Sequence, residues 1–155
     1  MTTILNLTQH DATPEQIAAG VVEPREHKKA ILSELTFEEM PDRTEIYDRA
    51  KWLACYAEIE LMQPPKDWDP KDCDPEAGFE GWTLPEDATA MIAGAPYLMS
   101  ELEQELLKLN IKPVYAFSKR ESVEETRPDG SVRSIRVFRH LGFVDGGSVN
   151  LFLHS

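Results

Sequence analysis

Several things are missing from these 155 residues, and each absence narrows the possibilities. No apolar run approaches the ~20 residues that a helical membrane span needs. The opening Met-Thr-Thr-Ile-Leu-Asn-Leu lacks a basic region followed by an apolar stretch and a small-residue cleavage site. It therefore reads as a first strand and not as a signal peptide. There are two cysteines, Cys55 and Cys73, without CxxC spacing. With no export signal they point to a reduced, cytoplasmic protein, Cys55 being expected as a buried thiol in a helix. Dinucleotide-type GxGxxG, Walker P-loop, HExxH and GxSxG motifs, His/Cys metal clusters and internal repeats are all missing too. No metal and no cofactor is expected.

Basic residues are scarce. Lys and Arg number 16 against 28 Asp and Glu, a net charge of −12 that argues against binding long nucleic acid. The distribution is uneven. Residues 1–111 carry 9 Lys/Arg and 23 Asp/Glu, a net of −14. Residues 112–140 carry seven Lys/Arg and four Asp/Glu, a net of +3. A basic segment in an acidic chain suggests a specific anion site.

The hydrophobic fraction of 41% is that of a packed globular domain, and the length suits a single domain spanning 1–155. Ile4–Leu7 predicts a short buried strand. Thr13-Pro14-Glu15-Gln16 opens a helix, with Thr13 as N-cap and Gln16 closing a capping box, and Gly20 ends it. Val21-Val22 reads as a second strand, followed by a helix from Pro24 to about Leu35. Asp42 caps a long helix to about Met62, in which Trp52 reads as core. Residues 64–87 hold five of the eleven prolines, and eight acids against two lysines, and read as an acidic surface loop. Its carboxylates (Asp67, Asp69, Asp72, Asp74 and Glu76) lack EF-hand register, so solvation is the expected role. Trp68 and Trp82 in this loop could form a lid.

Ala88–Ala93 resumes as a strand, Gly94-Ala95-Pro96 turns it into a helix to about Leu109, and Pro113–Phe117 is the next strand. That is a βαβ unit with a right-handed crossover. Ser122–Arg127 and Ser131–Phe138 around Pro128-Asp129-Gly130 predict a hairpin. The fold class is thus α/β and Rossmann-like: a mostly parallel sheet flanked by helices, with a C-terminal antiparallel hairpin. Such sheets bind ligands at the carboxyl ends of their strands. Three segments are expected to end strands and to converge there: Thr8-Gln9-His10, Gly94-Ala95-Pro96-Tyr97 and Ser118-Lys119-Arg120. The glycine turn offers backbone N–H groups at a helix start. Arg120 can hold phosphate bidentately and Lys119 supplies a mobile charge. His10 can serve as an acid or base near neutral pH. His27, His140 and His154 read as bystanders.

Three stretches resemble the small stand-alone CRISPR-associated Rossmann-fold (CARF) proteins of the ring-nuclease-like group. They are Asn6 to Gln16, Ile92 to Pro96, and Pro113 to Glu125 continuing through Asp129–Val132 to Val137–His140, about half of the chain. The resemblance implies a homodimer that captures a cyclic oligoadenylate across its two-fold axis. Cleavage, where it occurs, would use a ribose 2′-OH to attack the neighbouring phosphate without metal. By position, Lys119, Arg120 and Ser118 would contact phosphate, Thr8, Gln9 and His10 would line the first loop, and Gly94, Ala95 and Tyr97 would meet adenine or ribose. Lys119 and His10 would be the catalytic pair. A different reading is a non-enzymatic protein whose acidic helices and loop dock a basic partner.

Overall fold

The run Ile4-Leu5-Asn6-Leu7 is buried at every position, as is Thr89–Ile92. Only a strand covered on both faces tolerates so continuous a run. A computed structural model describes residues 2–72 and 78–146 and places these two runs side by side at the centre of a sheet. Five strands take part: β1 (Ile4–Leu7), β2 (Val21–Val22), β3 (Thr89–Ile92), β4 (Lys112–Thr126) and β5 (Val132–Asp145). Their order is β2-β1-β3-β4-β5. The pairs β2–β1, β1–β3 and β3–β4 are parallel, while β4–β5 is antiparallel. The fold is Rossmann-like α/β, with the hairpin at the C-terminal side.

Four helices connect the strands: α1 (Pro14–Ala18), α2 (Lys28–Leu35), α3 (Arg43–Leu61) and α4 (Pro96–Lys108). The main core packs Leu5, Leu7 and Ile92 of the sheet against Ile31 of α2, Leu53 of α3 and Leu102 of α4. A smaller cluster of Ile4, Val21, Met91 and Val114, with Ala12 and Phe143 beside it, fills the other face. The chain leaves β1 toward β2 through α1 and returns past it to β3 through α2 and α3. With right-handed crossovers, that reversal sends α1 and the α2–α3 pair to opposite faces.

Local chemistry explains the element boundaries. The Thr13–Gln16 capping box forms, and the Asp42 carboxylate accepts the Glu45 N–H at 2.8 Å. Asn110, at φ 62, stops α4 in the left-handed conformation that Asn tolerates. The helix expected from Pro24 begins only at Lys28, because another helix has taken its first N–H groups. The Glu60 carboxylate of α3 accepts the N–H of Arg25 (2.7 Å), Glu26 (2.9 Å) and His27 (2.8 Å), and lies 2.8 Å from His27 Nδ1. Burial pushes the Glu60 pKa up, but the N–H groups of Arg25 and Glu26, with His27, outweigh it. The carboxyl is held below its usual range.

Three further expectations need correction. Ser118-Lys119-Arg120 do not end a strand: β4 passes through them to Thr126 as one side of a long two-stranded arm. Trp52 is 55% exposed and outside the core, since Leu53, Ala54, Ala57 and Leu61 supply the buried face of α3. Cys55 is an exposed thiol for the same reason. The arm's turn forms as expected. Gly130 takes φ +84 and donates to the Arg127 carbonyl at 2.9 Å, while Asp129 accepts from Ser131 N–H at 2.9 Å. Among the described residues no helix is long and apolar enough to cross a membrane. Cys73, Asp74, Glu76 and His154 lie outside the described residues.

Candidate functional site

Asn6 is the polar member of β1 and is 2% exposed. A buried amide must satisfy both ends, and this one does so by shaping the loop that follows. Its Oδ1 accepts from Thr8 N–H (3.1 Å) and from the Thr8 hydroxyl (2.7 Å). Its Nδ2 donates to the His10 carbonyl (2.8 Å) and to Glu23 (2.9 Å). Glu23 in turn accepts the Ala12 N–H at 2.7 Å. Lys28 Nζ closes the network, 2.6 Å from Asp11 and 3.5 Å from Glu23. The hydrogen bond from Lys28 holds the Asp11 carboxyl below its usual range, and the same bond raises Lys28.

The loop so fixed walls one side of a cavity of about 230 Å³. Thr8, His10, Asp11 and Thr13 line it there, and Ile92, Ala93, Tyr115 and Ala116 face them from β3 and β4. It opens at the carboxyl ends of β1 and β3, where the strand order reverses. Tyr115 donates its O–H to Glu103 of α4 at 2.7 Å. Burial, together with that carboxylate, pushes the phenol pKa up, so it stays protonated. The wall can take a flat, partly apolar group, while Thr8, His10 and Asp11 offer a hydroxyl, an imidazole and a carboxylate for hydroxyl and base edges.

The expected convergence is partial. Thr8 and His10 meet the end of β3 at Ala93. Gly94, at φ +156, shapes the turn, and a Cβ there would lie 3.3 Å from Met99 Cε. Ala95 is the N-cap of α4, its carbonyl accepting from Leu98 and Met99. Tyr97 is exposed and meets Phe37 edge-on at 5.3 Å. Gln9 turns away from the cavity, donating to the Leu35 carbonyl (3.1 Å) and Thr36 Oγ1 (3.2 Å). Ser118, Lys119 and Arg120 line none of this cavity. They follow a bulge at Phe117/Ser118 and pair with His140, Arg139 and Phe138, with the Arg120 guanidinium 5.2 Å from the Phe138 ring. The arm nevertheless leaves from the cavity wall at Ala116, and Lys119 stands three residues, about 10 Å, farther along the strand.

Sequence reasoning missed Asn6, Asp11, Glu23, Lys28 and Tyr115. The signal for Asn6 was present, as a lone amide in an apolar strand. Larger hollows lie elsewhere. One of about 580 Å³ between α2 and α3 includes Arg49, whose guanidinium already caps the carbonyls of Ser33, Glu34 and Thr36. Another of about 420 Å³ sits at Thr2, Asp87, Thr89 and Lys112, at the amino ends of the strands, away from the edge where such sheets bind. Among the described residues no group of three or more His, Cys, Asp or Glu is arranged to hold a metal ion.

Residues 2–144 match the Uncharacterized protein MJ1673 family. The chain belongs to that family. No curated protein and no solved structure matches it. The MJ1673-family match spans both walls of the cavity and nearly all of the arm.

Proposed function

We propose that this MJ1673-family protein binds a phosphate-bearing nucleotide of the cyclic oligoadenylate class at the carboxyl ends of β1 and β3. The observation that carries this reading is the cavity lined by Thr8, His10, Asp11 and Tyr115 at the point where the strand order reverses. Open α/β sheets hold ligands there, because the two loops diverge and leave a crevice. In this reading Asp11 and Thr8 take ribose hydroxyls, and the strand-end wall at Ala93 and Ala116 takes a base. Phosphate is met by Lys28, released from Asp11, and by Lys119 and Arg120 from the root of the arm. The choice of a cyclic oligoadenylate rests on the resemblance to CARF proteins. Ring opening would have a ribose 2′-OH, giving its proton to His10, attack the adjacent 3′-phosphate to form a 2′,3′-cyclic phosphate. The P–O5′ bond breaks and the 5′-oxygen leaves as a hydroxyl with a proton from solvent, Lys119 offsetting the phosphoryl charge, with the cytoplasm as the compartment.

A thermal-shift series tests the reading with cyclic tetra- and hexa-adenylate, linear oligoadenylate and AMP. A ligand at a hundred times its Kd stabilises by about 2.7 kcal/mol, or about 5–10 °C in a chain of this length. The expected result is such a shift with a cyclic ligand, lost in Thr8→Val/His10→Ala and reduced in Lys119→Ala/Arg120→Ala. No shift with any nucleotide overturns the reading.

A further inference from the structure

β4 pairs with β3 only over Lys112–Val114. Beyond that its partner is β5, and among the described residues β5 has no second neighbour in the sheet. From Ser118 to Thr126 the ribbon extends roughly 30 Å past the bulge, at about 3.3 Å per residue. An isolated two-stranded ribbon is marginal in water. This one is pinned by exposed Arg133–Glu125 and Arg139–Glu121 pairs, which contribute little. It also leaves apolar side chains uncovered: Phe138 is 65% exposed, and Phe117, Val132 and Leu141 are more than half exposed.

Charge indicates what covers them. The arm lies in the segment of net +3, whereas residues 1–111 carry −14. Edge-to-edge pairing of two β5 strands is disfavoured by their arginines. A two-fold antiparallel register centred on Arg136 sets Arg133 against Arg139 of the other copy. The acidic body offers a better match. The outer side of α3 and the segment before it expose Met40 (95%) and Trp52 (55%), with Glu38, Glu39 and Asp48 also exposed, while Tyr47 turns to another side of α3 and lies under Lys51 Nζ at 4.5 Å. Trp52 stacks on Tyr56 at 6.1 Å and 29°, giving a flat apolar surface. Apolar-and-basic on the arm meets apolar-and-acidic on the body.

We propose that the arm of one chain docks on the α3 face of a second copy, and that reciprocal docking closes a two-fold dimer. A domain of this length has a radius of gyration of about 15 Å, so an arm of roughly 30 Å crosses most of a neighbour's face. This assignment is independent of what the cavity binds, since neither Arg136 nor Phe138 lines it.

Sedimentation velocity on the full chain tests it, from low micromolar to about 100 µM and at low and about 0.5 M salt. The wild type is expected to sediment as a dimer at low salt and to dissociate as salt rises. Arg136→Glu/Phe138→Ser on the arm and Trp52→Ser on α3 should each weaken association at least tenfold, with circular dichroism unchanged. A wild type that stays monomeric at about 100 µM and low salt overturns the proposal. So does a dimer that survives the arm variant. A dimer lost with the arm variant but kept by Trp52→Ser overturns it as well, because the docking face is then not α3.

Discussion

Replacing Glu60 by glutamine removes one negative charge and almost no volume, yet it should cost about 3 kcal/mol of stability. The side chain is 2% exposed, so water does not replace lost partners. Its two oxygens serve four donors: the N–H groups of Arg25, Glu26 and His27, and His27 Nδ1. A glutamine keeps one acceptor oxygen and turns an NH₂ group toward donors that need an acceptor. A hydrogen bond to a charged group is worth about 1.5–3 kcal/mol, and a buried orphan donor costs about 1–3 kcal/mol. With its oxygen kept on the Glu26 and His27 donors, the glutamine loses the Arg25 bond and orphans that N–H, which together, offset by some relaxation of the Arg25–His27 segment, give the figure above. In a chain of this size it lowers Tm by about 6–12 °C. Urea unfolding should show the midpoint falling with the slope unchanged. The pH dependence has a fixed sign. The folded-state pKa lies below the ordinary 4.5, so the wild type's advantage is complete above that value. It fades as pH falls through the lowered pKa. A stability change under about 0.5 kcal/mol, or a difference that ignores pH, refutes the reasoning.

Two other substitutions probe the site. Asn6→Ala removes the amide that fixes Thr8 and His10, and should destabilise by about 2 kcal/mol in urea unfolding while weakening nucleotide binding; binding at full strength would show that the loop holds itself. Gly94→Ala places a Cβ 3.3 Å from Met99 Cε at φ +156, and should cost about 1–2 kcal/mol by the same measurement, whereas a neutral result would mean that the turn relaxes freely.

The framework was legible where signals are local or periodic. Thr13–Gln16 announced α1, Asp42 announced α3, and the apolar runs Ile4–Leu7 and Ala88–Ala93 gave the central strands. What escaped detection depends on partners far along the chain. Glu60 looks like any helical carboxylate until Arg25–His27, more than thirty residues earlier, come to rest on it. That capture also explains why α2 starts at Lys28 and not near Pro24. The hairpin was legible from Pro128-Asp129-Gly130, but its continuity with β4 was not, because the ribbon leaves the core at Phe117 and no buried apolar face marks the strand beyond it. Ser118-Lys119-Arg120 therefore resembled a loop. Trp52 and Cys55 fell inside a helical pattern, but α3 packs through Ala50, Leu53, Ala54 and Ala57, which leaves its other side outward. At the site, Thr8 and His10 were visible as polar residues after a strand. Asp11, Lys28 and Tyr115 needed the folded geometry.

The most direct measurement is a ¹H–¹⁵N correlation spectrum of the chain titrated with cyclic tetra-adenylate and then cyclic hexa-adenylate. The account predicts saturable shifts at the amides of Thr8–Asp11, Ala93–Gly94 and Tyr115–Ala116, with those at the amino ends of the strands unmoved. Shifts confined to the groove around Arg49 and Glu45, or no saturable shift at any amide, would contradict it.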